Sequence, residues 1–308
     1  MKIKLLLFLG VALVGIHNLS AADTLAIGEW GVALDEMIGK HKAYTTIREV
    51  RIEALKQKST QTNPETTAFF ELNEKLYREY KAYTCDSALH YLSLNLHWAM
   101  RHGEQETIDA IRIRRAHLMS ATGMYKEASE DLEGINRSKL SPDLLQDYYE
   151  CHRYLYSELG MYTQETFHRN RYYALAASYR DSLMQVLTPD SPLYLERKEM
   201  EKAASGKLAE ALRINDTRLA AISPNTPEYA LATYHRSLLY HRLGDREKEK
   251  HYLALSAMTD ISLAITDHAS LWTLAKLLYE EGDIERAYRY IRFSWNATNH
   301  YNARSRSL

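Results

Sequence analysis

The sequence predicts an all-α protein built from tandem helix–turn–helix repeats, and three observations lead to this prediction. Glycine and proline are scarce, with 12 Gly and 6 Pro in 308 residues, which is well below their average use. The abundant residues Ala, Leu, Glu, Lys and Arg are good helix formers. The few glycines recur in one short pattern, and no alternating run of β-branched residues bounded by turn signals is present.

The first residues have the pattern of a secretory signal peptide. Lys2 and Lys4 form a short basic start, an apolar run follows over residues 5–16, and small residues end the segment at Ala22. The run is too short for a spanning helix, so we expect export to the periplasm or cell envelope, with cleavage after Ala22. No Cys lies at this cleavage site, which argues against a lipid anchor. Beyond residue 22 no apolar run is long enough to predict a membrane span.

The charge balance argues against a nucleic-acid-binding protein. The chain has 39 Lys and Arg residues against 40 Asp and Glu residues, a formal net charge of −1. Loss of residues 1–22 removes two lysines and no acidic residue. No basic stretch has the character of a nucleic-acid-binding surface, so no contact with nucleic acid is predicted.

Residues 23–82 differ from the rest of the chain and predict a lead-in hairpin. Residues 34–57 form a long, charged amphipathic pattern, and Asn63-Pro64-Glu65 breaks it before a second helix that runs through Tyr80. Because the end of a helical array needs a polar outer face, we expect this hairpin to cap the repeats of residues 83–308.

The repeats themselves are marked by glycines at 123, 160, 206, 244 and 282, which lie 37 to 46 residues apart. Each repeat is expected to contain two helices, and each of these glycines to end the first of them. We predict a positive φ at Gly123, Gly160, Gly244 and Gly282. In the clearest copies, 122–128 and 281–287, an apolar residue follows two positions later, and then an Ala at which helices can cross closely. The pattern matches the second half of the tetratricopeptide (TPR) consensus. It predicts a TPR-like solenoid of about five to six repeats, with the start of a further second helix at 84–89.

Turn-forming segments separate the repeats. Residues 188–192 and 223–227 each contain two prolines among Ser, Thr, Asp and Asn, and a new helix is expected after each segment. Ser141 and Pro142 make the same kind of boundary, with Ser141 predicted as the N-cap and Pro142 at the first helical position.

Cys85 and Cys151 are the two cysteines of the chain. Export would permit a disulfide between them. However, they fall in different repeats, and two cysteines do not make a disulfide framework, so two buried free thiols are the favoured interpretation.

The sequence lacks the patterns of catalysis and of metal or cofactor binding. Among 13 histidines there is no His-Glu-x-x-His motif, no pair of histidines four apart, and no pair of cysteines at ligand spacing. Gly-x-Ser-x-Gly, Gly-x-Gly-x-x-Gly and the phosphate-binding loop are also missing. We therefore predict a binding protein rather than an enzyme, with no cofactor and no metal.

Tyrosine is the one residue type in excess, with 23 copies, and it suggests where a ligand could bind. Alignment of the turn glycines to the consensus places one set of side chains on the concave face, mixing aromatic groups with cationic ones, as binding surfaces do. This predicted site consists of Tyr154, Tyr234, His241, Arg242, Trp272, Lys276 and Tyr279, with His117 and Glu158 beside them. The alternative is that the tyrosines only seal the packing between helices.

Parts of the chain resemble a family of bacterial envelope proteins of unknown function. The resemblance is carried by residues 254–261 and 277–291, by 302–304, and by Tyr173 with 179–182. It extends from the signal peptide to residue 306 and is most specific over 250–306. The family implies an exported TPR-like region, then one membrane span and a cytoplasmic tail that acts in transcriptional regulation. The sequence stops at Leu308 with neither, so the expectation is a truncated form or a module that works alone.

These observations together predict an exported TPR-like scaffold that serves as the extracytoplasmic sensing region of an envelope regulator. A protein or peptide is the favoured partner, and a small ligand or glycan is also compatible. The alternative is an accessory protein of carbohydrate uptake, against which the missing lipid-attachment Cys and the modest length argue. An enzyme of unknown class ranks third.

Overall fold

The computed structural model describes residues 26–266 and 268–301, and the predicted signal peptide, residues 1–22, lies outside them. The described residues form thirteen α-helices and one short 3₁₀ helix, with no strand among them, which confirms the all-α prediction. The helices are α1 (Trp30–Thr60), α2 (Thr67–Tyr80), α3 (Cys85–His102), α4 (Gln105–Ala121), α5 (Tyr125–Leu132), α6 (Pro142–Tyr162), α7 (Thr166–Val186), α8 (Pro192–Ala204), α9 (Leu208–Ala221), α10 (Pro227–Leu243), α11 (Arg246–Ser262), α12 (Ala269–Glu280) and α13 (Ile284–Tyr301). No helix of these residues has the length and apolarity needed to cross a membrane.

Successive helices pack in pairs joined by short turns, as the repeat pattern predicts. The pairs that carry the glycine pattern are α4 with α5, α6 with α7, α8 with α9, α10 with α11, and α12 with α13. The alanines that follow the turns are buried in three of these pairs, at Ala128, Ala211 and Ala287. A small side chain at this position lets the two helices of a pair approach closely. The further unit predicted upstream is formed by α2 and α3, with α3 beginning at Cys85.

Three of the four turn glycines behave as predicted. Gly123, Gly244 and Gly282 follow helix ends with φ values of 85°, 76° and 90°. The left-handed conformation reverses the chain and satisfies helix carbonyls, as in the hydrogen bond of 3.1 Å from the Gly244 N–H to the His241 carbonyl oxygen.

The prediction for Gly160 is wrong. Gly160 lies inside α6, which continues to Tyr162, and its φ is not positive. It is needed for packing instead, because a Cβ atom at this position would lie 2.7 Å from the ring of Tyr173 on α7. The actual turn follows Tyr162, and the Glu165 carboxylate starts α7 by accepting hydrogen bonds from the backbone N–H groups of Phe167 and His168.

In three helical pairs, the first helix begins with a Ser or Thr at the N-cap followed by a proline. Pro142, Pro192 and Pro227 each occupy the first turn of α6, α8 and α10. Ser141 is the N-cap residue of α6, as predicted, although its side chain makes no capping hydrogen bond. The hydroxyls of the corresponding residues before α8 and α10 do cap, because each accepts a backbone N–H three residues later.

Helix α1 contacts both ends of the array. Trp30 and Leu34 are buried in a core with residues of α11, α12 and α13, and the later part of α1 packs on α2. The loop after α11 also reaches the loop before α3, since the Thr266 N–H donates to the Ala82 carbonyl oxygen at 3.0 Å. The predicted lead-in segment is therefore in contact with the last repeats as well as the first.

Both cysteines are free and buried, as the sequence favoured. The Cys85 thiol lies 3.8 Å from the Thr122 hydroxyl, and the Cys151 thiol lies 3.5 Å from the Ile113 carbonyl oxygen. Burial raises the pKa of Cys85 to about 11 and raises that of Cys151 further. Protonated, buried thiols of this kind act as small apolar core groups.

Substitution of Gly282 by Val should lower the free energy of unfolding by about 1–3 kcal/mol, because a β-branched residue is strained at a φ of 90°. No atom lies within 4 Å of the Cβ position, so backbone strain is the only expected cause. Urea denaturation measures the change. The matched control is Gly39→Val in the middle of α1, where the Cβ position is also open and Val is slightly favoured over Gly. A loss of stability that is equal in both variants would contradict the assignment of the turn.

Candidate functional site

The first helices of the pairs carry a continuous network of charged side chains. On α6, Arg153 donates to both carboxylate oxygens of Glu150, at 2.8 and 2.5 Å. Arg197 of α8 lies 3.5 Å from the same carboxylate and also pairs with Glu196. Burial alone would raise the pKa of Glu150, but the hydrogen bond from Arg153 and the charge of Arg197 outweigh burial and lower this pKa. The network therefore holds Glu150 in its charged form and joins α6 to α8.

The network continues into a buried centre between α8, α9 and α10. Glu199 is 2% exposed and Arg218 is 5% exposed. The guanidinium of Arg218 donates to Glu199 at 2.5 Å, and the amide of Asn215 donates to the other carboxylate oxygen at 3.0 Å. The Asn215 amide also reaches the Ala232 carbonyl oxygen at 3.0 Å, which links this centre to α10. A charged pair so well satisfied fixes the relative positions of three helices.

Two histidines border this charged network. His235 of α10 lies with Nδ1 3.1 Å from the Arg218 guanidinium. Burial, with help from the charges of Arg218 and Arg197, lowers the pKa of His235 to about 3. His117 of α4 stacks on Tyr154 of α6, with ring centroids 4.8 Å apart. Nearby protein desolvates the His117 ring and lowers its pKa. Both rings are therefore neutral near pH 7.

The seven predicted site residues lie on three first helices, and two of them, Tyr154 and Tyr234, are half-buried. Tyr154 of α6 carries the stacked His117 ring and borders the Glu150–Arg153 pair. Tyr234 of α10 packs against the C-terminal core. Both retain some exposed surface, so neither is sealed between helices.

His241 and Arg242 are exposed, but both contact neighbouring helices. The His241 Nδ1 atom lies 2.9 Å from the carboxylate of Glu249 on α11. The Arg242 guanidinium donates to the Ala203 carbonyl oxygen near the end of α8. These contacts hold the end of α10 against its neighbours, and they were not anticipated from the sequence.

Trp272, Lys276 and Tyr279 form an exposed stripe on α12. The spacing of four and three residues puts them on one helix face, and all three side chains are exposed. Trp272 is 48% exposed and Tyr279 is 65% exposed. Helix α10 adds three exposed leucines, Leu231 and Leu238 seven residues apart and Leu243 at its end. The C-terminal first helices thus present apolar and cationic groups to solvent.

Several of the other tyrosines fill the space between α6 and α7. His152 stacks on Tyr179 with ring centroids 4.4 Å apart, and Tyr148 meets the His152 ring edge-on at 4.4 Å. Tyr156 lies parallel to Tyr179 at 5.7 Å. Here the excess of tyrosine serves packing, as the alternative interpretation of these residues proposed.

The histidines offer no arrangement suited to a metal ion in the part of the chain that the structure describes. No group of three or more His, Cys, Asp or Glu side chains converges there. His97 and His102 instead contact backbone carbonyl oxygens through Nδ1, and His102 also stacks on Trp98.

The helical array matches a known protein family. The family model of the SusR N-terminal TPR domain matches residues 38–308. The chain belongs to this family. No curated protein is detectably similar in sequence. The match begins within α1 and includes every later helix, so α1 and the repeats belong to the same family domain.

Membership of the SusR N-terminal TPR family agrees with the paired helices of the structure and identifies the repeats as TPR repeats. Repeat arrays of this kind are typically binding scaffolds that offer an extended surface to a partner.

Proposed function

We propose that the chain is the extracytoplasmic sensing region of an envelope-anchored regulator, and that it binds a peptide or protein segment on its first helices. The observation that carries the proposal is the exposure of Trp272 and Tyr279 beside the cationic Lys276 on α12, together with the exposed Leu231 and Leu238 on α10. Exposed apolar groups of this size mark an interaction surface when they lie together. Trp, Tyr and Arg are the residue types that contribute most to binding energy.

Membership of the SusR TPR family supports the regulatory part of this proposal. Export is supported by the signal-peptide pattern of residues 1–22. Export would be demonstrated by sequencing the N-terminus of the protein from cell-envelope fractions, where Asp23 is expected as the first residue. An unprocessed N-terminus at Met1 in the cytoplasmic fraction would contradict export.

The binding surface can be tested with a peptide ligand. This peptide is selected from a random peptide-display library for binding to the full chain. We expect Trp272→Ala and Arg242→Ala each to weaken the affinity for the selected peptide about tenfold, or about 1.4 kcal/mol. Isothermal titration calorimetry measures the change, and unfolding curves establish that the fold is intact.

The chain offers closely matched controls for both substitutions. Trp295 is 45% exposed, almost as much as Trp272, but it lies on α13, a second helix. Arg180 is an exposed arginine on α7, paired with Asp181. Trp295→Ala and Arg180→Ala should leave the affinity unchanged. If all four variants bind the peptide equally well, the binding surface lies elsewhere.

A glycan is the second candidate ligand, since Trp272 and Tyr279 also present the flat apolar surfaces that sugar rings require. The same variants titrated with soluble oligosaccharides separate the two functions. Loss of oligosaccharide binding in Trp272→Ala, with no peptide recovered from the library, would favour the accessory role in carbohydrate uptake.

A further inference from the structure

A cavity of about 690 Å³ lies where α1 meets the last two repeats, away from the surface discussed above. Its walls are the middle of α1, Tyr83 before α3, residues 261–266 with His268 between α11 and α12, and residues 289–297 of α13. The volume is within the usual range of pockets that hold small molecules. None of the seven predicted site residues contributes to its lining.

The walls of the cavity are fixed by contacts on both sides of it. Asp35 of α1 accepts a hydrogen bond of 2.8 Å from the Tyr290 hydroxyl and pairs with Arg286, both on α13. Further along α1, Arg48 donates to the Ala264 carbonyl oxygen at 3.1 Å. The α1 residues that line the cavity, 38–49, lie mainly between these two anchors. The space between the walls is therefore part of the fold and is available to a ligand.

The inner surface of the cavity is largely apolar. Ile38, Ile261 and Phe293 line it. The ring of Phe293 meets the His41 ring edge-on, with centroids 5.0 Å apart, and the tilted His268 ring at 5.2 Å. A surface of this kind favours a ligand with an apolar or aromatic body.

The charges around the cavity are mainly positive. Lys42, Arg289 and Arg292 line it, and Arg289 is paired with Asp35. Lys42 and Arg292 have no ion-pair partner among residues 26–266 and 268–301. The one acidic residue among the described lining residues, Glu49, accepts a hydrogen bond of 2.9 Å from the Tyr83 hydroxyl. Lys42 and Arg292 can thus receive an anionic group, Arg292 from its position over the Tyr288 ring, 5.6 Å from the ring centroid.

His268 adds a buried polar group to the same wall. Its side chain is 4% exposed, and its Nδ1 atom has no hydrogen-bond partner in the described protein. An unsatisfied buried nitrogen is costly unless a ligand or water completes it. His268 also precedes the first turn of α12, so the positive end of this helix dipole lies at the cavity.

We propose that this cavity binds a small organic anion, in which a carboxylate or phosphate group is carried on an apolar or aromatic body. Lys42 and Arg292 receive the anionic group, and Phe293 with its apolar neighbours receives the body. Because the walls come from α1 and from the last repeats, the bound anion joins the two ends of the chain. This site is independent of the peptide surface on α10 and α12.

Calorimetric titration of the full chain with benzoate, phenyl phosphate and benzyl alcohol tests the proposal, because the three probes share a ring and differ in charge. We expect at least one of the two anions to bind about tenfold or more tightly than benzyl alcohol. The anion that binds more tightly identifies the carboxylate or the phosphate as the preferred group.

Two variants locate the binding. The double substitution Lys42→Gln with Arg292→Gln should remove the preference for the anion, since both side chains are exposed at the rim and are not needed for folding. Ala297→Phe places a ring in the cavity and should abolish binding of all three probes. The control Arg180→Gln removes an exposed arginine on α7 and should change nothing.

Three results would overturn the proposal. The first is equal affinity for benzyl alcohol and both anions. The second is a failure of either variant to act as expected. The anion preference would then persist in the double variant, or binding would persist in Ala297→Phe. The third is an absence of binding by either anion at about 10 mM, which is weaker than specific small-molecule recognition requires.

Discussion

Replacement of Arg218 by Ala is expected to lower the free energy of unfolding by about 3–5 kcal/mol, the range found when one partner of a buried ion pair is removed. Arg218 is the cation that neutralises Glu199, and the pair is buried between α8, α9 and α10. Burial already raises the pKa of Glu199 despite the opposing effects of Arg218 and Asn215. Without Arg218, Glu199 must remain charged in a dry site or take up a proton.

Urea denaturation near pH 7 measures this loss, and the chain offers two comparisons. Arg180→Ala removes an exposed arginine paired with Asp181 and should cost about 0–1 kcal/mol. A double variant, Arg218→Met with Glu199→Leu, removes both charges and should be more stable than Arg218→Ala. A loss below about 1 kcal/mol in Arg218→Ala would mean that water reaches Glu199 and that the pair contributes little.

The same variant has a second measurable effect, on His235. Burial is the main cause that lowers the pKa of His235 to about 3, and the positive charge of Arg218 lowers it further. Removal of Arg218 should therefore raise this pKa, and NMR titration of the ring protons measures the change. A pKa that stays unchanged in a folded variant would show that burial alone sets it.

The repeat architecture could be predicted because it depends on local residue patterns. Gly123, Gly244 and Gly282 occur where only a left-handed residue reverses the chain, and buried alanines follow two of them. Gly160 shows the limit of the pattern, because glycine also occurs where a neighbouring side chain, here the Tyr173 ring, occupies the space of a Cβ. The two causes leave the same residue in the sequence. Glu165, the N-cap of α7, marks the true boundary, and it could have been recognised.

The closure of the array by α1 could not be predicted, since it rests on contacts between residues far apart in the chain. Asp35 meets Arg286 and Tyr290 across about 250 positions, a separation at which local periodicity carries no information. The cavity beside these contacts was missed for the same reason. Its lining residues come from four separate segments, each of which is unremarkable alone.

For the predicted binding surface, the alignment of repeats indicated which helix each residue occupies but not what its side chain contacts. Trp272, Lys276 and Tyr279 share an exposed face, as the register of α12 implies. His241 and Arg242 are exposed too, but they bind Glu249 and the Ala203 carbonyl oxygen. Such contacts depend on the relative placement of neighbouring repeats, which a pattern of turn glycines does not determine.

The second large effect is expected in acid and arises from buried neutral histidines. Desolvation lowers the pKa of His152 and of His268 to about 4, and His235 lies lower still. In the unfolded chain these rings titrate near their ordinary pKa of about 6.5. Below that pH the unfolded state binds protons that the folded state does not, so the free energy of unfolding falls as the pH decreases. Burial raises the pKa of Asp260 and acts in the opposite direction over part of this range.

His152→Phe isolates the contribution of one histidine from this sum. Both ring nitrogens of His152 lack a hydrogen-bond partner, and the ring stacks on Tyr179, so Phe preserves the packing without a group that titrates. We expect the stability of the variant relative to the unaltered protein to increase as the pH falls from 6.5 to about 4. The increase approaches about 1.4 kcal/mol per pH unit, or about 3 kcal/mol in all. Urea denaturation at several pH values measures it, with His97→Phe at an exposed position of α3 as the matched control. If the two curves for His152→Phe and the unaltered protein stay parallel between pH 6.5 and 4, His152 is protonated equally in the folded and unfolded states, and its ring must then be reached by water within the tyrosine cluster.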